Sequence, residues 1–129
     1  MQFGITPLDF AGVLNRILQG EQIDFSRFSY PGIVKDAASA GFGHMETTLD
    51  ILHALPGSLN KDTIAEISDI RKTKGLTLSA HLPLWAIEPA SFNERIRTAT
   101  VETCTEAIGL AEGFQPKYYV FHATGALAS

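Results

Sequence analysis

The sequence has a single cysteine, and it has no run of apolar residues long enough to cross a membrane. A membrane-spanning helix needs roughly 18 or more apolar residues, and the N-terminal segment lacks the basic start and apolar run of a signal peptide. Cys104 has no second cysteine to pair with, so we interpret it as a small buried apolar residue within a helix. These absences predict a water-soluble protein of the cytoplasm.

Positive charge is also scarce in the sequence. Ten Lys and Arg residues stand against fourteen Asp and Glu, which gives a formal net charge of -4. Because phosphate contacts supply much of the affinity for nucleic acids, this balance weighs against a nucleic-acid partner. A Gly-rich phosphate loop, a Gly-x-Ser-x-Gly motif and a Cys-x-x-Cys pair are also missing, so the sequence does not support nucleotide or serine-hydrolase chemistry.

What the sequence does contain is an alternation of strand-like and helix-like segments. Its 129 residues, 45% hydrophobic and 19% charged, fit one folded domain over residues 1–129. Strands are predicted at residues 1–6, 43–49, 76–81 and 118–122, with helices between them. This spacing favours right-handed βαβ units, so the predicted fold class is α/β, with a parallel four-stranded sheet and helices on its outer face.

Local signals mark the ends of two predicted helices. Asn60 is expected to cap a helix that ends at Gly75. A longer helix is expected to begin with a capping box in which Ser91 is the N-cap and Glu94 follows three residues later. Gly113 marks the end of that second helix.

Side-chain alternation separates two faces of the predicted sheet. One face carries Met45, Leu78 and Ala80, and its apolar character suits packing against helices. The other, here called the polar face, carries Gln2, Gly4, Thr6, His44, Glu46, Thr48, Thr77, Ser79, His81, Tyr118, Val120 and His122. Strands of a sheet covered on both sides are normally apolar on both sides. The polar face therefore predicts the inside of a barrel whose upper half holds a ligand.

Two histidines occupy matching places in the chain. His81 ends the third predicted strand and His122 ends the fourth. Because parallel strands end at the same edge of a sheet, we interpret the two imidazoles as a metal or substrate site. The alternative is a pair of hydrogen-bonded histidines with a purely structural role.

Glu46 and Trp85 are further candidate site residues. Glu46 is predicted to lie on the polar face, where three roles fit: a general base, an acceptor for a sugar hydroxyl, or a structural partner of a neighbouring side chain. Trp85 lies in the loop after the third strand, where an indole can stack on a sugar ring and cover the site. An apolar loop also packs commonly on its own protein, so both interpretations stay open for Trp85.

Other polar residues near the strand ends are weaker candidates. Asp50 and Glu88 lie in loops at the carboxyl ends of strands, where single carboxylates are usually solvated. His53 is expected to be a solvated loop residue. His44 begins its strand, so we expect it to be structural.

Three motifs on successive strands together resemble a known superfamily. These are AGFGHMETTLD at residues 40–50, KGLTLSAHLP at 74–83 and KYYVFHATG at 117–125. In order and spacing they are similar to the N-terminal half of xylose-isomerase-like TIM barrels, which include sugar isomerases, epimerases and type IV apurinic endonucleases. The resemblance therefore implies a (βα)4 half of a TIM barrel.

The resemblance also implies an activity and a cofactor. It implies a divalent-metal site at the carboxyl-terminal mouth of the barrel, with Zn, Mn, Mg or Co as the ion. The implied reaction is isomerisation or epimerisation of a sugar, sugar phosphate or polyol, with Glu46 as a catalytic group and His81, Trp85 and His122 as substrate-binding groups. His81 and His122 also match the zinc-binding histidines of the endonuclease branch, so a metal-dependent phosphodiesterase is the alternative. The epimerase ligands and proton-moving carboxylates come mostly from later strands.

The position of Ser129 leads to an expectation about partners. Because it lies seven residues after His122, we expect this chain to be half of a barrel that normally has eight strands. The first and fourth strands would then have unpaired edges, which favour association. We expect either a homodimer or association with a missing C-terminal half, besides the sugar-like substrate. A self-associating half-barrel without activity is a further alternative.

Overall fold

A parallel sheet of four strands forms the centre of the computed structural model, which describes residues 3–7 and 10–123. The strands are β1 Gly4–Ile5, β2 His44–Thr48, β3 Thr77–His81 and β4 Tyr119–Val120. The helices are α1 Phe10–Leu18, α2 Tyr30–Ser39, α3 Ile51–Ala54, α4 Lys61–Lys74 and α5 Glu94–Ala111, followed by the 3-10 turn Glu112–Phe114. The α/β class is confirmed. Gln2 of the polar face lies outside the described residues.

The strands pair in the order β1-β2-β3-β4, and every pair is parallel. The pairing of β2 with β3 is the longest, and it sets Glu46 beside Ser79 and Thr48 beside His81. In the next pair, His81 lies beside Val120. The consecutive parallel order is the one expected from repeated βαβ units.

The two faces of the sheet differ as the alternation predicts. The side chains of Met45, Leu78 and Ala80 are fully buried among the helices. On the polar face, His44 and Glu46 are only half-buried. The hydrophobic core therefore lies between the sheet and its outer helices, and the polar face is left to carry the site. Within the described parts of the chain, no helix is both long and apolar enough to cross a membrane.

Helix α4 has the ends that its sequence predicts. The Asn60 side chain accepts hydrogen bonds from the backbone N–H groups of Asp62 and Thr63, at 2.9 and 3.0 Å. The Thr63 hydroxyl in turn accepts from the Asn60 N–H, which completes a capping box. At the other end, Gly75 has a φ of 66°, a left-handed conformation that glycine adopts without strain.

Helix α5 begins at a different residue from the one predicted. Asn93 is its N-cap, and the Asn93 side chain accepts a hydrogen bond from the Arg95 N–H at 3.0 Å. The predicted N-cap, Ser91, instead accepts from the Asn93 N–H at 3.2 Å. The prediction was wrong because an asparagine two residues further on caps at least as well as serine. Cys104 in this helix is half-buried rather than fully buried, and desolvation raises the pKa of its thiol.

A buried tyrosine joins α2 to the end of β2. Tyr30 is 1% exposed, and its phenolic oxygen accepts a hydrogen bond from the Thr48 N–H at 2.8 Å. Burial raises the pKa of Tyr30 far above its usual value, and the nearby Glu46 carboxylate adds to the effect. Tyr30 therefore stays neutral and fixes the last residue of β2, which is the register partner of His81.

Candidate functional site

His81 and His122 meet at the carboxyl-terminal edge of the sheet, here called the mouth. Their Nε2 atoms are 3.0 Å apart, and the ring centroids are separated by 4.9 Å. His81 is the last residue of β3 and His122 follows β4 by two positions, so the pairing of these strands brings the rings together. His81 is half-buried and His122 is exposed.

The proton on His81 can be placed from its hydrogen bonds. The Nδ1 atom lies 2.9 Å from the backbone carbonyl oxygen of Leu82. A carbonyl only accepts hydrogen bonds, so in the neutral ring Nδ1 carries the proton and donates it, which leaves a lone pair on Nε2. That lone pair faces His122, whose Nε2–H is the donor when the two rings are hydrogen-bonded directly.

The histidine pair also has the dimensions of two metal ligands. Two nitrogens bound to one ion at about 2.0–2.1 Å are separated by about 2.9–3.4 Å, depending on the angle at the ion. The observed separation of 3.0 Å falls in this range. A histidine that binds a metal usually donates its other ring N–H to a carbonyl or carboxylate, which orients the ring. The hydrogen bond from His81 Nδ1 to the Leu82 carbonyl is a contact of this kind. Among the described residues, no three His, Cys, Asp or Glu side chains are grouped so as to hold an ion together.

His44 forms the centre of a polar cluster deeper on the polar face. Its Nδ1 lies 2.8 Å from the Thr77 hydroxyl, which itself donates to the Gly43 carbonyl. Because that hydroxyl has only one proton to donate, it accepts from His44, so Nδ1 of His44 carries the proton. Nε2 of His44 lies 3.0 Å from the Ser79 hydroxyl and 3.2 Å from the Tyr118 hydroxyl. The structural role that we expected for His44 agrees with these contacts.

Glu46 lies next to this cluster, as a half-buried residue of the polar face. Together with Gly4, Thr6, His44 and Tyr118 it lines a small pocket of about 210 Å³. Its carboxylate makes no hydrogen bond or ion pair within the described part of the chain. Of the three roles considered for Glu46, the structural partner therefore has no contact to support it.

Trp85 lies on the loop after β3 and is 52% exposed. With Ile87, Arg95 and Ile96 it lines a groove of about 530 Å³ between this loop and the first turns of α5. The described contacts do not join Trp85 to Glu46, His81 or His122. A role for Trp85 in substrate binding thus stays a prediction, and its packing is with its own loop and helix.

Asp50 is the site residue whose role the sequence did not reveal. It is 4% exposed, so the expectation of a solvated loop carboxylate was wrong. Its carboxylate accepts hydrogen bonds from the backbone N–H groups of Leu84 and Trp85 in the loop after β3. The contact joins residues 34 and 35 positions apart, and no local pattern signals it. Glu88 is half-buried, and its own N–H donates to the Thr100 hydroxyl.

The fold and the position of this mouth together define the class. A parallel sheet in consecutive order with helices on its outer face is the arrangement of half a TIM barrel, and it matches a structure of the xylose-isomerase-like kind. This confirms the resemblance inferred from the three sequence motifs. No family model matches the sequence, and no curated protein sequence matches it either.

Solved structures give the particular neighbours. A crystal structure of a D-tagatose 3-epimerase-like protein is 26% identical, with a TM-score of 0.62, and the match covers 74% of this chain and 34% of the other. A crystal structure of D-psicose 3-epimerase in the presence of D-fructose is 17% identical, with a TM-score of 0.49, covering 67% of this chain and 30% of the other. The matched part is thus about a third of the length of the first neighbour.

Proposed function

We propose that this chain forms the N-terminal part of a divalent-metal-assisted isomerase or epimerase acting on a sugar, sugar phosphate or polyol. The observation that carries the proposal is the His81–His122 pair, with its Nε2 atoms 3.0 Å apart at the mouth of a half-barrel similar to a D-tagatose 3-epimerase-like protein. Ketohexoses are accordingly the first substrates to consider.

His81 and His122 fit two neighbouring positions on one divalent ion. In the neutral ring of His81 the lone pair is on Nε2, and His122 can present the same atom in its other neutral tautomer, with the proton on Nδ1. When bound, a divalent ion supplies Lewis-acid stabilisation of negative charge that develops on a sugar carbonyl oxygen. The remaining ligands would come from outside the described residues.

Glu46 is proposed to act on the substrate from the wall of the barrel. Its carboxylate is partnerless among the described residues and opens on the small pocket beside His44 and Tyr118. In that position it can accept a hydrogen bond from a sugar hydroxyl or take up its proton. Trp85 is proposed to supply an aromatic surface near the mouth, and its exposure leaves the indole free to contact a ligand.

Closure of the barrel is part of the proposal. The four strands leave β1 and β4 as the outer strands of the sheet, whereas a closed TIM barrel has eight. We propose that either a second copy of the chain or a separate C-terminal half supplies the other four strands and the remaining metal ligands. Light scattering tests this directly, since self-closure predicts twice the mass of the chain and a monomer would exclude it.

Paramagnetic broadening by Mn²⁺ tests the metal site residue by residue. We expect Mn²⁺ to broaden the imidazole C–H NMR signals of His81 and His122 first, because relaxation falls steeply with distance from the ion. His53 is the matched control, since it is an exposed histidine in the short helix α3. Replacing His81 by Gln should abolish the selective broadening, whereas His53→Gln should leave it unchanged. Equal broadening of all exposed histidines would contradict a site at the mouth.

The substrate is tested by adding D-tagatose or D-psicose to the Mn²⁺-loaded barrel, closed by the second copy or by the C-terminal half. We expect a ketohexose to shift signals of the polar face and to form its 3-epimer, which chromatography of the sugars detects. Glu46→Gln should reduce epimer formation at least tenfold while it retains Mn²⁺ binding. A closed, Mn²⁺-loaded barrel that neither binds nor converts any ketohexose would exclude this substrate class.

A further inference from the structure

The carboxylate of Asp50 connects the segment after β2 to the loop after β3. Asp50 lies two residues after the end of β2, is 4% exposed and accepts the Leu84 N–H on both of its oxygens at 3.0 Å. One of these oxygens also accepts the Trp85 N–H at 2.8 Å. We infer that Asp50 is a positioning residue, which fixes the loop after β3 and through it the ring of His81. The importance of that ring for catalysis rests on the proposed function.

The path from Asp50 to His81 has hydrogen bonds at both ends, which are joined by the backbone from Leu82 to Leu84. The Leu82 carbonyl accepts a hydrogen bond from His81 Nδ1, and the Leu82 N–H donates to the Val120 carbonyl at 2.9 Å. Pro83 follows, buried and with a restricted backbone, and the next two amides are those held by Asp50. The Leu82 carbonyl, which orients His81, is thus held from both sides. The Leu82 N–H bonds to β4 on one side, and Asp50 holds the Leu84 and Trp85 amides on the other.

The far end of the same loop is held as well. The Glu88 N–H donates to the Thr100 hydroxyl of α5 at 3.1 Å, and Ile87 is buried. Trp85 therefore extends from a backbone that is fixed on both sides, although its side chain is half exposed. Asp50 therefore fixes the backbone position of Trp85.

The geometry explains why a carboxylate, and not an amide, occupies this position. A buried charge is costly unless it is hydrogen-bonded, and all the hydrogen bonds to this one come from backbone N–H groups. Asparagine has the same shape, but its N–H₂ group would replace one of the two oxygens that accept the Leu84 N–H, and its remaining oxygen carries no charge. Asp50→Asn therefore weakens the clamp with little change of volume, because one oxygen can still accept both amides while the charge and the second accepting oxygen are lost.

Two measurements that need no metal decide the inference. The first is amide hydrogen exchange of Leu84 and Trp85, which we expect to be slow in the wild type. In Asp50→Asn it should be faster by about tenfold, because hydrogen bonds to a charged acceptor are stronger than those to a neutral one. The second is the tautomer of His81 in long-range ¹H–¹⁵N spectra, which we expect to change from Nδ1–H in the wild type to a mixture in the variant. Asp69→Asn, which removes an exposed carboxylate from α4, is the control for loss of charge.

The outcomes separate this inference from the proposed function. Unprotected Leu84 and Trp85 amides in the wild type would overturn it, and so would faster exchange in Asp50→Asn with the His81 tautomer unchanged. If Asp50→Asn does not fold, the wild-type exchange and tautomer decide alone. Binding of Mn²⁺ is measured separately. We expect it to weaken by about 10–100-fold in the variant, which is the usual effect of removing a group that orients a metal ligand. Absence of Mn²⁺ binding in the wild type would refute the metal site and leave the positioning role to the first two measurements.

Discussion

Replacing Tyr30 by Phe removes one oxygen from the core and nothing else. That oxygen accepts the Thr48 N–H at 2.8 Å, and both residues are buried, at 1% and 8% exposure. Water does not reach the amide in place of the hydroxyl, so the variant leaves a buried donor without a partner. The expected loss of unfolding free energy is about 1–3 kcal/mol.

Urea unfolding followed by circular dichroism measures this loss. For a protein of this size the unfolding free energy is about 6–19 kcal/mol. With a urea dependence of about 2 kcal/mol per molar, a loss of about 2 kcal/mol lowers the midpoint by about 1 M. Tyr118→Phe is the matched control, because its hydroxyl bonds His44 at 3.2 Å from a side chain that is half exposed. The control should change stability by less than about 0.5 kcal/mol.

Alkaline pH provides a second test of Tyr30. Burial raises the pKa of its phenol above the ordinary 10.0, so the unfolded chain loses this proton first. The associated stability is complete below pH 10 and is lost as the pH rises further. At about pH 11 the wild type should lose about 1.4 kcal/mol that Tyr30→Phe does not lose. Equal midpoints for the two phenylalanine variants, or equal alkaline losses in wild type and Tyr30→Phe, would refute the reasoning.

Three further predictions concern the helices. Gly113→Ala should cost about 1–3 kcal/mol in urea unfolding, because the new Cβ would overlap the Cγ2 of the buried Ile64. Gly109→Ala is its control, since it adds a methyl group to α5 in open space and should be neutral or stabilising. Asn60→Ala should cost about 1 kcal/mol because α4 loses its cap, and an unchanged midpoint would contradict the capping role. Cys104 should react more slowly with a thiol reagent than a free thiol does, because burial raises the pKa of Cys104. An equal reaction rate in the native protein and in urea would contradict this prediction.

Features set by neighbouring residues were predictable from the sequence. The cap at Asn60, the stop at Gly75 and the apolar face with Met45 and Leu78 depend on spacings within a few positions. The meeting of His81 and His122 was predictable for a different reason. Parallel strands place equivalent residues at one edge, so two strand ends were enough to bring the rings together.

Features that depend on distant partners were not predictable. The buried role of Asp50 needs amides 34 and 35 positions away, and a lone acidic residue after a strand looks the same whether it is clamped or solvated. The predicted N-cap of α5 was wrong for a local reason, since Ser91 and Asn93 are both good caps near the same helix start. Sequence patterns rank such competitors poorly when both are good caps.

The consecutive order of the strands bears on how the protein is made. Each strand pairs with the one before it, and the partners His44 and Thr77 are only 33 positions apart. Consecutive pairing keeps the closed loops shorter than any other order of these strands would, which lowers the entropy cost of closing them. As the chain leaves the ribosome, every new strand finds its partner already present, so the sheet can grow by one unit at a time without rearranging the part already built.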